Sequence, residues 1–458
     1  MFFRPQPIHF IGIGGIGMSS LAEVLMDLGY PVTGSDARSS PTTARLAARG
    51  AVVFEGHAAA NLGEAKAVVY TSAVRPDNPE MAEARRRKLP LIPRGELLAE
   101  LMRQKFGIAI AGSHGKTTTT AMVAAILVHA NLDPTILVGG RMGINGSNAR
   151  LGKSEYLVVE SDESDGSFLK LAPILAVVTN IDREHLDHYA NIEEIRAAFA
   201  AFVAKVPFYG ASILCLDDEN IQRILPGVNR RVVTYGVSAQ ADLRITRSST
   251  GHMASEFHLE VNNRDLGCFR LNVPGAHNTL NATAAVAVGL ELDIPVDIIR
   301  EALAEFRGVD RRFQVRGSAR GVTVIDDYGH HPTEIRATLA AAQACRFKHV
   351  HVLFQPHRYS RTQALMDDFA QSFHQADTVH VTEIYAASEA PIAGVTAEAL
   401  VGRLHAFGHR GAVYAASMTD SIQSVVAAAG PGDAIVTLGA GSVSQAADEI
   451  LAILRSQE

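Results

Sequence analysis

The chain has 458 residues, 47% hydrophobic and 20% charged, an ordinary globular mixture that is too long for a single core. A net charge of −6 leaves no basic surplus for a nucleic-acid partner, and no uninterrupted apolar run is long enough to span a membrane. Three widely spaced cysteines with no C-x-x-C pair, Cys215, Cys268 and Cys345, point to neither a disulfide framework nor a zinc site. The opening from Met1 to Pro7 makes a poor signal peptide, so a reducing, cytoplasmic compartment is expected.

Taken in chain order, Ile8–Ile13 reads as a first strand, followed by Gly12-x-Gly14-x-x-Gly17 and a helix over Ile16–Leu28. A second strand, Pro31–Gly34, delivers Asp36 where a Rossmann unit places its ribose-binding acid. Gly12, Gly14, Gly15 and Gly17 favour a diphosphate at the helix end, and alone they also suit a nicotinamide cofactor. Further strands are expected at Val52–Phe54 and Ala67–Tyr70, then an exit helix over Leu97–Lys105. Arg85–Lys88, the only basic run, reads as a solvated helix end.

The apolar strand Ile108–Ala111 runs into Gly112-Ser113-His114-Gly115-Lys116-Thr117-Thr118, with an Ala-rich helix over Ala121–Ala130 behind it. Glycines let backbone N–H groups converge on phosphate oxygens, the lysine reaches the outer phosphates, and the Thr117 hydroxyl can hold Mg²⁺. The spacing is shorter than in the common G-x-x-x-x-G-K-[ST] loop, but a nucleoside triphosphate site is expected here. The strand Tyr156–Val159 ends in the acidic run Glu160–Asp165, where a neighbouring carboxylate usually holds the metal. The strand Ile174–Val178 leads to Asn180, His185 and Asp187, with His185 expected as a second metal ligand. A helix over Ile192–Lys205 and a strand at Ser212–Leu216 continue the alternation, and 242–273 suggests a small antiparallel addition. Asn278 is placed to cap the next helix, or to serve a ligand.

After the two guanidiniums of Arg311 and Arg312 the chain alternates again. The strand Val322–Ile325 leads to Asp326-Asp327-Tyr328-Gly329-His330-His331-Pro332, and the strand His349–Phe354 to Gln355-Pro356-His357-Arg358-Tyr359-Ser360-Arg361-Thr362. Two polar clusters leaving the carboxyl ends of strands mark a ligand site of an open α/β sheet.

These motifs together resemble one family. Gly112-Ser113-His114-Gly115-Lys116-Thr117, His277-Asn278-x-x-Asn281, Arg312 and Asp327-Tyr328-x-His330 look like those of the Mur ligases of peptidoglycan synthesis. The opening glycine turn and the Gln355–Thr362 segment are similar to the alanine-adding branch. The resemblance implies an α/β protein of three domains. These are an N-terminal Rossmann-like domain (1–104) for a UDP-sugar, a central P-loop ATPase (105–313) with a mostly parallel sheet plus a small antiparallel one, and a C-terminal Rossmann-like domain (314–458). It also implies an ATP- and Mg²⁺-dependent ligation of L-alanine to UDP-N-acetylmuramate through an acyl phosphate, by a monomer or homodimer.

On the same resemblance, Lys116, Glu160, His185, Arg312, Asp327 and His330 are expected to be catalytic. Gly112 to Thr118, Asn281, Arg312 and Asp327 would bind ATP, and Thr117, Glu160 and His185 the metal. Asp36, His57, Thr71 and Ser72 would join the first glycine turn around the UDP-sugar. Tyr328, His330, His357, Arg358 and Arg361 would receive the amino acid and the intermediate. Two departures stand out: Ser20 replaces a usual glycine, and the position of a lysine that other Mur ligases carbamoylate holds Ala200. The alanine-adding branch is expected to lack that lysine. A recycling ligase that attaches a whole tripeptide to the same sugar is the near alternative. A dehydrogenase would leave Lys116, Thr117 and Glu160 without a role.

Overall fold

A computed structural model describes residues 5–71, 73–138, 149–185 and 188–457. Ser72 and Asp187 lie outside the described residues. The first sheet holds β1 (Ile8–Ile11), β2 (Val32–Asp36), β3 (Val52–Glu55), β4 (Ala67–Tyr70) and β5 (Leu91–Pro93), ordered β3-β2-β1-β4-β5 and parallel throughout. Its helices are α1 (Ile16–Asp27), α2 (Pro41–Ala48), α3 (Pro79–Arg86) and α4 (Arg94–Arg103). The segment with α3 and β5 gives little periodic signal. Its helix is set locally, by Asn78 accepting from the Glu80 and Met81 amides with Pro79 behind it.

The second sheet contains β6 (Phe106–Ala111), β7 (Thr135–Leu137), β8 (Ala149–Arg150), β9 (Tyr156–Glu160), β10 (Leu175–Val178), β11 (Ala211–Cys215), β12 (Val232–Gly236), β13 (Leu243–Gly251), β14 (Ala254–Val261) and β15 (Arg264–Leu271). Its order is β15-β14-β13-β12-β11-β10-β6-β9-β7-β8, with β6 between β10 and β9, parallel to both. The 242–273 segment therefore extends this sheet through β13, β14 and β15. The helix behind the phosphate loop, α5 (Lys116–His129), begins five residues ahead of its apolar run because Thr117–Thr120 are buried with it. After it come α6 (Ile192–Val203), α7 (Glu219–Ile224), α8 (Ala276–Glu291) and α9 (Val296–Glu305). Asn278 does not cap α8, which starts two residues earlier; its amide lies in the first turn and donates to the Pro274 carbonyl at 2.7 Å.

The third sheet runs β16-β17-β21-β18-β19-β20, from β16 (Gln314–Ala319), β17 (Val322–Asp327), β18 (Val350–Phe354), β19 (Thr378–Val381), β20 (Ala412–Tyr414) and β21 (Ala434–Leu438). It is parallel except for β16, antiparallel to β17 at the edge. β17 runs two residues past the apolar stretch, so Asp326 and Asp327 are strand residues opposite Thr437 and Leu438. The helix α10 (Pro332–Ala344) follows, started by a capping box of His331 and Glu334.

By contacts the chain divides into two compact units. The first holds Met1–Thr246, Leu259–Gly267 and Leu280–Leu303, and the second holds Arg247–His258, Cys268–Thr279 and Ala304–Glu458. Among the described residues no helix is long and apolar enough to cross a membrane.

Candidate active site

The phosphate loop is shaped by contact with the end of β10. Gly112 has φ +134, and a Cβ there would lie 2.0 Å from Thr179 Oγ1; at Gly115, φ +82, a Cβ would meet Asn281 Oδ1 at 2.5 Å. Both positions require glycine. Thr179 Oγ1 and Asn180 Nδ2 donate to the His114 carbonyl at 2.5 and 3.0 Å, and the His114 amide donates to Asn180 Oδ1 at 2.8 Å. His114 Nε2 meets Asp182 Oδ2 at 2.9 Å, and the Asp182 amide donates to Ser113 Oγ at 2.8 Å. These contacts fix the loop from within the protein, and Asn281 faces it from α8.

Lys116 opens α5 and folds back, donating to the carbonyls of Gly112 and Ser113 at 2.5 and 3.1 Å and to Glu163 Oε1 at 2.7 Å. Burial would lower its pKa, but the Glu163 carboxylate beside it holds it above the usual lysine value. Thr117 Oγ1 donates to Glu160 Oε1 at 2.9 Å. His185, in the left-handed region at φ +55, brings Nε2 to 3.2 Å from Glu163 Oε1. The expected set Thr117, Glu160 and His185 therefore falls into two contacts: Thr117 with Glu160, and His185 with Glu163. Glu163 is 1% exposed, and its Oε2 is buried without a hydrogen-bond partner. Two carboxylates, one with a buried oxygen short of a partner, and a hydroxyl fit a hard divalent cation such as Mg²⁺.

The acidic loop is itself anchored. Phe168, just beyond it, stacks on Phe202 at 5.1 Å and meets Phe199 edge-on at 5.3 Å, both on α6. Tyr189 Oη donates to the Glu163 carbonyl at 2.7 Å, and Arg94 Nη2 pairs with Asp162 Oδ2 at 3.0 Å.

At the carboxyl ends of β1, β2 and β4 lies a cleft of ≈ 820 Å³ whose lining includes Gly12, Gly14, Gly15, Asp36, His57 and Thr71. Asp36 Oδ2 accepts from the Gly14 amide at 2.8 Å, so this acid shapes the glycine turn as well as facing the cleft. Gly17 instead sits in α1, where a Cβ would come within 3.1 Å of Arg94 Nη1. His57 is held from behind: its Nδ1 lies 2.9 Å from Ser35 Oγ and 3.2 Å from Glu80 Oε2. Burial would raise the Glu80 pKa, but His9, Ser35 and Asn61 bring it down to about 2, so a fixed negative charge stands behind the imidazole.

The second unit gathers the remaining expected residues. Asp327 accepts from the amides of Phe313 and Gly329, both at 2.7 Å. Burial pushes its pKa up to about 6, against the pull of Arg312. Arg311 and Arg312 lie 4.9 and 5.1 Å from the Tyr328 ring centroid, cation–π distances. Glu334 meets Arg312 Nη1 at 3.2 Å through Oε1 and His330 Nδ1 at 3.2 Å through Oε2. His330 and His357 are 5.8 Å apart, and His357 stacks on Tyr385 at 5.5 Å. Burial, with His330, Arg361 and Arg358 nearby, pushes the His357 pKa down to about 3, so it is neutral at physiological pH. Arg361 Nη1 lies 3.3 Å from His357 Nδ1.

Family models match almost the whole chain: the Mur ligase catalytic domain over residues 7–106, the Mur ligase middle domain over 110–289 and the Mur ligase glutamate ligase domain over 311–441. The chain belongs to the Mur ligase family. Among Mur ligases it is 64% identical to the UDP-N-acetylmuramate–L-alanine ligase of Solibacter usitatus, over 100% of this chain and 97% of that one. It is 56% identical to the enzyme of that name from Koribacter versatilis, over 100% and 99%. The crystal structure of the UDP-N-acetylmuramate–alanine ligase of Thermotoga maritima matches with TM-score 0.84 at 31% identity, over 99% of this chain and 100% of that one. A murein peptide ligase of Psychrobacter arcticus matches with TM-score 0.71 at 26% identity, over 98% and 99%.

Sequence reasoning missed three parts of this Mur ligase site. In the sequence Glu163 is only one member of an acidic run, since strand alternation stops at Glu160 and gives no side-chain direction beyond it. Glu334, which joins Arg312 to His330, lies at the end of the Asp326–Glu334 segment, and the sequence gives it no role of its own. Arg94 and Asp162 are 68 residues apart, and nothing in their local sequence pairs them.

Proposed function

We propose that this Mur ligase joins L-alanine to the lactyl carboxylate of UDP-N-acetylmuramate in peptidoglycan precursor synthesis, with ATP cleaved to ADP and phosphate. The carboxylate oxygen attacks the γ-phosphorus and the bond to the ADP oxygen breaks, leaving an acyl phosphate. The L-alanine amine then attacks the acyl carbon, loses a proton, and expels phosphate. Identity of 64% over the full length to a relative of that name carries the choice of substrates. The cytoplasm is the compartment this reading implies.

Phosphoryl transfer needs positioning and charge neutralisation more than covalent help. In this reading the loop from Gly112 to Gly115 holds the phosphates, Thr118 lies in the first turn behind them, and Lys116 leaves its carbonyl contacts for the γ-phosphate. Mg²⁺ held by Thr117 and Glu160, with His185 and Glu163 beside it, would neutralise the phosphate charge. The cleft at Gly12, Gly14, Asp36, His57 and Thr71 takes the UDP moiety, its diphosphate at the start of α1. In the second unit Arg358 or Arg361 meets the alanine carboxylate, where a guanidinium fixes orientation by a bidentate pair. Arg312, Asp327 and His330 act on the reacting groups, and Tyr328 packs under Arg312. Domain boundaries at 104 and 313 belong to the same proposal, supported by family matches ending at 106 and beginning at 311.

Hydroxylamine trapping tests the intermediate. With ATP, Mg²⁺ and UDP-N-acetylmuramate but no L-alanine, a hydroxamate of the sugar nucleotide is expected to accumulate with ADP. ADP without hydroxamate would overturn the acyl-phosphate route.

A further inference from the structure

A second cluster of metal-ligating side chains stands at the opposite ends of the third sheet's strands from Asp327 and His357. His349 immediately precedes β18, His351 is the second residue of that strand, and Asp433 immediately precedes β21. β18 and β21 are paired neighbours, with Val350 opposite Ala434, so their amino ends bring the three together. Alternation along an extended chain puts positions 349 and 351 on one face.

His349 Nδ1 lies 3.0 Å from Asp433 Oδ1, and His351 Nε2 lies 3.3 Å from Asp433 Oδ2. One ligand atom from each residue falls within 4.8 Å of the others. Donors held at tetrahedral distances around a Zn²⁺-sized ion are about 3.3–3.6 Å apart, so small side-chain adjustments close the set. Both His351 and Asp433 are 5% exposed, while His349 is 47% exposed and leaves the outer side open to water.

The surroundings are those of a supported ligand set. His351 Nδ1 is 2.9 Å from Thr378 Oγ1, which lies 3.0 Å from His380 Nε2, and His380 Nδ1 is 2.9 Å from Ser424 Oγ. If His351 donates its Nδ1 proton to Thr378, its Nε2 lone pair faces the Asp433 carboxylate, an arrangement that a cation between them resolves. Asp433 Oδ2 is oriented by the Gly430 amide at 2.7 Å.

We propose that His349, His351 and Asp433 form a binding site for a divalent transition-metal ion of the Zn²⁺ or Co²⁺ class, separate from the Mg²⁺ of the ATP reaction. Two imidazoles and a carboxylate select such ions over Mg²⁺, which prefers an all-oxygen shell and keeps its waters. The ion would tie together the amino ends of β18 and β21, two central strands whose other ends run toward His357 and Gly439.

The test is titration of the untagged full chain with CoCl₂ in excess MgCl₂ at about pH 7.5, where free imidazoles are neutral. One equivalent is expected, with visible d–d absorption. Thr378→Val should weaken binding roughly 10–100-fold, the usual cost of an outer-shell partner, and His349→Ala by more. His349 is half exposed, so its removal should leave the fold and the L-alanine-dependent activity intact, and this variant decides the matter if Asp433→Asn fails to fold. Absence of bound Co²⁺, or binding unchanged in His349→Ala, would overturn the proposal. Loss of the equivalent in Glu160→Gln while His349→Ala retains it would also overturn it, by placing the ion at the ATP site.

Discussion

Lys116 and Glu163 form a charge pair at the start of α5, and in the proposed reaction the ATP chemistry turns on it. The lysine is satisfied by two loop carbonyls and by Glu163, and in the proposed reaction these contacts are exchanged for phosphate oxygens. Lys116→Ala is expected to lower kcat by roughly 10²–10³, the cost of removing one preorganised group that meets developing charge. Glu163→Gln keeps the volume and removes the charge shared by Lys116 and His185. A kcat loss of about 10-fold or more is expected in steady-state phosphate release, and an unchanged rate would mean Glu163 only packs. Titrating groups add a pH prediction for the second unit. Burial holds His277, His357 and His380 down to about 4, 3 and 4, from an unfolded value of 6.5. Their stabilisation is complete above pH 6.5 and is lost as pH falls toward those values. Asp327, raised from 3.8 to about 6, has the opposite sign: its contribution is lost as pH rises through that window. At about pH 5 these groups give three protons taken up on unfolding and one released, a net uptake of about two. The urea midpoint of the second unit should therefore fall between pH 7 and pH 5, and a flat or rising midpoint would contradict the assignment.

The strand–loop–helix unit of β6 and α5 was legible because its chemistry is local: an apolar strand, glycines at two strained positions, then Lys-Thr. The two polar clusters after β17 and β18 were legible for a similar reason, since open α/β sheets place ligand groups at strand carboxyl ends. What stayed hidden depends on contacts distant in sequence or on side-chain direction in loops. Glu163 lies in a loop held by contacts distant in sequence: Phe168 against Phe199 and Phe202, the Tyr189 hydroxyl on the Glu163 carbonyl, and Arg94 on Asp162. Asn278 failed as a cap because α8 begins two residues earlier, a choice the Pro-Gly start left open. Phe168→Ala is expected to cost about 3–5 kcal/mol of stability, the usual loss for a buried phenylalanine, and to raise the Mg²⁺ needed for half-maximal activity. Denaturant unfolding and a Mg²⁺ titration of the rate would check both, and an unchanged Mg²⁺ requirement would detach the acidic loop from the metal. Gly112→Ala should be worse for nucleotide binding than for folding, since its Cβ would land 2.0 Å from Thr179 Oγ1 inside the loop itself. Equilibrium ATP binding compared with thermal unfolding separates the two effects.

Across the whole molecule, the candidate site residues fall into both units. The first carries the glycine loop before α5, the acidic loop and the cleft at the first glycine turn, and the second carries the Arg, His and Tyr cluster around Asp327. Such a division predicts that sugar nucleotide and amino acid each matter to turnover while touching separate sets of residues. The most direct test measures phosphate release from ATP and Mg²⁺ in the presence of UDP-N-acetylmuramate, comparing L-alanine with the intact murein tripeptide. Release that requires L-alanine and falls by roughly 10²–10³ in Lys116→Ala is the predicted result. Release with the tripeptide alone, or release indifferent to both, would contradict the account.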